Sequence, residues 1–128
     1  MYSAGPTLTP IGTVENGLPL GTPREQLQAA ESRIILDPAL VEGLHALEKQ
    51  ARILVVFHFH LSEGYDLLQH PRGDSSREKR GVFALRSPRR PNPIGVTEVE
   101  LLEIQGNVLR VRGLDAVDGT PVLDLKPA

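Results

Sequence analysis

The stretch Arg86–Gly95 (RSPRRPNPIG) gathers three guanidinium groups on a backbone stiffened by three prolines. Pro88, Pro91 and Pro93 each fix φ and push the preceding residue toward extended conformations. A loop of this kind holds Arg86, Arg89 and Arg90 at set positions and loses little entropy when a ligand docks. Guanidinium forks match carboxylates and phosphates, so the chemistry this segment suits is anion recognition. Arg86 follows the apolar run Gly81–Leu85 and is expected to end a strand and reach into a pocket. Arg89 and Arg90 are expected to face outward.

His58 and His60 lie two residues apart at the end of an apolar segment. On a strand that spacing points both imidazoles to one face. They are candidates for a general base or a polar pocket wall, and core or surface histidines carry the same signature. A metal would need Glu63 or Asp66 to bend back, and no metal site is expected. Asp115 and Asp118 stand in the turn GLDAVDGT. Aspartates in such turns commonly bond backbone N–H groups, and the same pair can hold an amine or ribose hydroxyls. No Ser-His-Asp order and no Gly-rich phosphate loop is present.

The net charge of −2 conceals an asymmetry. Residues 72–90 carry seven basic side chains against Asp74 and Glu78, a net +5, which leaves seven basic and fourteen acidic residues, −7, elsewhere. Segregation of this kind marks a local anion site or a solvated basic loop. A polyanionic partner would be met by Arg77, Lys79, Arg80, Arg89 and Arg90. The rest of the surface would repel it.

The elements that must position these groups are mostly strands. Thr9–Glu15, Ser32–Leu36, Arg52–His60, Gly81–Arg86, Ile94–Ile104, Val108–Leu114 and Thr120–Leu125 have β-branched or alternating patterns bounded by turn residues. Gln105-Gly106-Asn107 predicts a hairpin turn. Asp37-Pro38 opens a predicted helix with Leu40, Val41, Leu44 and Leu47 on one stripe, ending near Gln50. Residues 1–8 are expected to fray, Asn16–Pro23 to loop, and Leu61–Arg80 to form a long polar loop. Six or seven strands with one helix predict a mainly β protein, a closed or nearly closed barrel, in a single domain spanning residues 1–128.

A chain of 128 residues suits one domain, and 40% hydrophobic with 23% charged residues is globular composition. The longest apolar run, Ile53–Phe57, is far short of the ~20 residues of a membrane-spanning helix. Met1–Pro10 is small and polar, and no signal segment is expected there. The absence of cysteine excludes disulfides and thiolate metal sites and fits the cytoplasm. With three Phe, two Tyr and no Trp, aromatic platforms for nucleic acid are scarce.

The run Gly81–Gly95 (GVFALRSPRRPNPIG) resembles the signature of the TsaA-like proteins, also called the TrmO family. Leu114–Pro127 (LDAVDGTPVLDLKP) is similar to the family's C-terminal signature, Ile11–Val14 to its opening strand and Ile53–His58 to its central strand. The resemblance implies a β-barrel methyltransferase that uses S-adenosyl-L-methionine. Its substrate would be N6 of threonylcarbamoyladenosine beside the anticodon of threonine tRNA. It further implies a homodimer with cofactor sites near the interface. A cofactor-binding barrel that acts as a sensor, and a methyltransferase for another RNA or a small molecule, are the rival readings. Carried over by motif, the cofactor contacts are Phe59, His60, Arg86, Val96 and the turn Arg112-Gly113-Leu114-Asp115, with the segment around Arg24 and Gln26 as a loop over the site. Three positions depart from the family pattern: Glu25 replaces Gln, Leu85 replaces Thr, and Arg52 replaces Trp.

Overall fold

A computed structural model describes residues 5–128. Six antiparallel strands close into a barrel: β1 (Gly12–Glu15), β2 (Glu31–Leu36), β3 (Arg52–His58), β6 (Ile94–Gln105), β7 (Val108–Arg112) and β8 (Pro121–Pro127). The ring order is β1-β2-β7-β6-β3-β8, closed by β1 against β8. A two-stranded ribbon outside the barrel pairs β4 (Leu68–Gln69) with β5 (Arg80–Gly81). The mainly β, closed-barrel expectation therefore holds.

The alternation that suggested strands also builds the core. Ile53, Val55 and Phe57 of β3 point inward, as do Val14, Ile34, Val99, Leu109, Val111 and Val122 on the other strands, each 2% exposed or less. Full burial of one such side chain contributes about 1.5–3 kcal/mol. Register shifts near Leu101–Glu103 in β6 and between Val56 and Phe57 in β3 bend the strands. Such irregularities let a small sheet curl shut. Leu114 and Ala116, from the segment after β7, are buried with the core.

The outer wall carries a chain of ion pairs. Arg110 bridges Glu31 and Glu103, Arg112 bridges Glu31 and Glu100, and Arg52 meets Glu98 at 2.7 Å. The two carboxylates hold the Arg110 guanidinium above its ordinary pKa, chiefly through the hydrogen bonds from Glu31 and then Glu103.

Several expectations need correction. The helix predicted from Pro38 to Gln50 forms only 3-10 turns, Pro38–Leu44 and Leu47–Lys49, interrupted by Ala46 at φ 70°. Asp37 does cap its start, accepting from the Ala39 N–H at 3.0 Å. Of the proposed stripe only Leu44 is buried, while Leu40 and Val41 face solvent. Too little apolar surface is covered to sustain an α-helix, and Gly43 lies within it. The α-helix of the described residues is instead α1 (Arg24–Ala29), starting right after the expected loop and burying Leu27.

Gly81–Arg86 is not a strand. Only Gly81 pairs, with Leu68, and Val82–Ala84 make a 3-10 turn because no strand lies alongside to continue the ladder. The first strand begins at Gly12 rather than Thr9, and β3 stops at His58. β7 ends at Arg112, before the turn at Gly113, and β8 runs on to Pro127. Of the residues expected to fray, 1–4 lie outside the described residues, and 5–8 are exposed and irregular. No helix among the described residues is long and apolar enough to cross a membrane.

Candidate functional site

At the end of the barrel where β3 and β7 finish and β2 and β6 begin lies an open groove of about 1770 Å³. Its floor is Phe57, Phe59, Gly95 and Val96. The two phenyl rings meet edge to face with centroids 5.1 Å apart. Both press on Gly95. A methyl group there would come within 2.6 Å of Phe57 Cζ and 2.8 Å of Phe59 Cζ. Gly95 is thus required by close packing of the floor, independent of any ligand.

One rim is the turn after β7. Gly113 takes φ 93°, which only glycine adopts without strain, and its N–H bonds the Ala30 carbonyl after α1 at 3.3 Å. Asp115 lies beside Arg24 of α1, Nε to Oδ2 3.9 Å, with both side chains substantially exposed. Gln28 of α1 completes this rim.

The opposite rim is the basic segment. Arg86 lines the groove and makes no ion pair among the described residues, and neither do Arg72, Arg77, Lys79 and Arg80. Arg89 and Arg90 behave differently. Arg90 Nη1 donates to the Leu85 and Ser87 carbonyls at 2.9 and 3.2 Å. Arg89 donates to the Glu63 carbonyl at 2.7 Å and to Asp66 at 3.2 Å. These two arginines staple the Pro-rich loop to itself and to residues 63–66. They stiffen the mount that presents Arg86.

The groove thus brings together Phe59, Arg86, Val96, Gly113 and Asp115 with Arg77, Lys79, Arg80, Arg89 and Arg90. Other candidates lie elsewhere. Leu114 is 0% exposed in the core. The Arg112 guanidinium is held by Glu31 and Glu100 on the outer wall, so only its backbone leads into the rim. Gln26 is exposed on α1, outside the residues that line the groove. His58 and His60 are also outside that lining and do not share a strand face, because β3 ends at His58 and the His60 N–H turns back on the His58 carbonyl at 2.8 Å. His60 instead approaches the Gly119 turn.

Asp118 accepts from the N–H groups of Asn16 and Gly17 at 2.8 and 3.0 Å. These bonds, Gly17 first, lower its carboxyl below the ordinary value. It ties the end of the barrel together and lies outside the groove lining. Of the loop expected over the site, Arg24 lines the groove and Gln26 does not; Arg72 opens the basic segment already read from the sequence, and Gln28 is the groove residue on α1 that sequence reasoning missed.

With this geometry in view, comparison with other proteins is informative. Residues 16–128 match the tRNA-methyltransferase O N-terminal domain. A probable S-adenosyl-L-methionine-binding protein of Pyrococcus abyssi is 42% identical over 92% of this chain, which spans 65% of that protein. The tRNA (adenine(37)-N6)-methyltransferase of Mus musculus is 38% identical over 97% of this chain, which spans 31% of it. The crystal structure of TrmO from Pseudomonas aeruginosa superposes with a TM-score of 0.77 at 32% identity, covering 99% of this chain and 56% of that one. The match over residues 16–128, supported by relatives well above 30% identity along nearly the whole barrel, establishes that this chain belongs to the tRNA-methyltransferase O N-terminal domain family.

Proposed function

We propose that the barrel binds S-adenosyl-L-methionine in the groove and transfers its methyl group to N6 of an adenine in tRNA. The finer reading is threonylcarbamoyladenosine beside the anticodon of threonine tRNA. The observation that carries the proposal is the composition of the groove: an apolar aromatic floor, one carboxylate rim, and an unpaired Arg86 among further free cations. The names of the relatives in Pyrococcus abyssi and Mus musculus support the cofactor and the RNA.

The residues fit such a cofactor by their chemistry. Arg86 has its fork free for the amino-acid carboxylate. Phe59 and Val96 offer apolar surface to the thioether and the adenine ring. Asp115 is exposed enough to exchange Arg24 for ribose hydroxyls or an ammonium group. The cofactor supplies a methyl group on sulfonium, already electrophilic, and the protein's work is alignment and exclusion of water. Val96 and Phe59 keep the floor dry. Neither His58 nor His60 lies in the groove lining, and the proposed mechanism rests on orientation of the methyl group and the nitrogen.

An open groove exposes the transfer to water unless something covers it. We place a second copy there. Ile94 on β6 and Leu68 on β4 are 37% and 63% exposed and form an apolar margin to the groove. Such a patch suits a symmetric, self-complementary contact. Light scattering at micromolar concentration should give twice the chain mass, and a strict monomer would remove the homodimer.

The RNA reading is tested by salt. Affinity for tRNA should fall steeply with ionic strength, each phosphate contact adding roughly 0.7–0.9 to the log–log slope. Replacing Arg77, Lys79 and Arg80 together by Ala should flatten that slope by roughly two units and spare cofactor binding. None of the three has an ion-pair partner among the described residues. A flat, weak response in the wild type would favour the binding-only barrel, leaving fold and cofactor in place and removing the tRNA substrate.

A further inference from the structure

Phe83 is 78% exposed, more than any other large apolar side chain described. It is nevertheless rigidly mounted. Its neighbour Val82 is 1% exposed, the Val82 N–H bonds the Leu67 carbonyl at 2.8 Å, and the Leu85 N–H closes the turn on the Val82 carbonyl at 3.1 Å. The anchor is buried while the ring projects at the groove. Arg80 and Arg86 stand three residues to either side, and neither is engaged in an ion pair among the described residues.

We propose that Phe83 is a stacking platform for one unpaired base of the RNA. The inference rests on the RNA reading above and adds to it a preference for single-stranded loops over duplex. An aromatic face set among free cations is the combination that holds single-stranded nucleic acid: the ring takes the base and the cations take the flanking phosphates.

The probe is an RNA hairpin with 2-aminopurine in its loop, beside a fully paired duplex of equal length. Wild type, Phe83→Leu and Phe83→Trp are compared for affinity, salt dependence and mass by light scattering. Leucine keeps apolar bulk at an exposed site, so folding is spared while the planar face is lost. Wild type should quench 2-aminopurine on binding. Phe83→Leu should lose about 5- to 150-fold in hairpin affinity, Phe83→Trp should retain it, and the duplex should not distinguish the three. Unchanged hairpin affinity in Phe83→Leu, with salt-dependent binding intact, overturns the stacking role alone. So does a fall in mass on Phe83→Leu, which would assign the ring to a contact between copies. Absence of salt-dependent binding to either RNA in wild type removes the RNA reading and the stacking role with it.

Discussion

Arg86→Ala is expected to weaken S-adenosyl-L-methionine binding by about 10- to 100-fold, the scale of a lost charge-assisted hydrogen bond. The unliganded protein should melt as the wild type does, because an exposed side chain without structural partners changes stability by no more than about 0.5 kcal/mol. Arg86 makes no ion pair among the described residues, and Arg89 and Arg90 hold the loop backbone around it. Isothermal titration gives the affinity, and thermal denaturation without ligand gives the stability. Normal binding by folded Arg86→Ala would remove this residue from the site. A variant that also melts early would show that the guanidinium supports the fold. Arg86→Lys should recover only part of the affinity, since a point charge lacks the two-pronged match to a carboxylate.

Gly95→Ala should act in the opposite order, on the fold first and the ligand second. The added methyl would lie 2.6 and 2.7 Å from two Phe57 atoms and 2.8 Å from Phe59. Phe57 is 2% exposed in the middle of the core and has nowhere to go. Phe59 can move, but it forms the wall of the groove. Overpacking of this kind costs about 1–3 kcal/mol, a fall of several degrees in Tm. Cofactor affinity should drop as well, because relief of the clash tilts Phe59. Equilibrium unfolding in urea and titration with cofactor measure the two effects. Stability within about 0.5 kcal/mol of wild type would mean that the floor is looser than its contacts indicate.

The barrel was legible from the chain because its strands follow the rule that sequence states most clearly. Ile53, Val55 and Phe57 alternate, Val108–Val111 pair back across Gln105-Gly106-Asn107, and burial of one face follows from the period of two. Where the pattern was shorter than an element, the reading failed. Leu40, Val41, Leu44 and Leu47 repeat like a helix, but only Leu44 is buried and Leu47 packs part-buried against the core, while Leu40 and Val41 face solvent. Gly81–Arg86 has the composition of a strand and no neighbour beyond Gly81 to pair with. A strand is defined by its partner, which local composition does not contain.

The sequence by itself determined that this protein concentrates positive charge in residues 72–90, stiffens Arg86–Gly95 with proline, and alternates enough apolar residues to close a barrel. Those are properties of composition and period. Only the tertiary structure separated Arg86, which is unpaired, from Arg89 and Arg90, which hydrogen-bond to the loop and to residues 63–66. It also set His58 and His60 outside the groove lining, turned the Arg112 side chain to the outer wall, and gave Asp118 to the backbone of Asn16 and Gly17. The reason is physical. Residue type fixes what a side chain can bind, but whether its donors are free depends on groups brought near by the fold, and Asp118 meets its partners across about a hundred residues of chain.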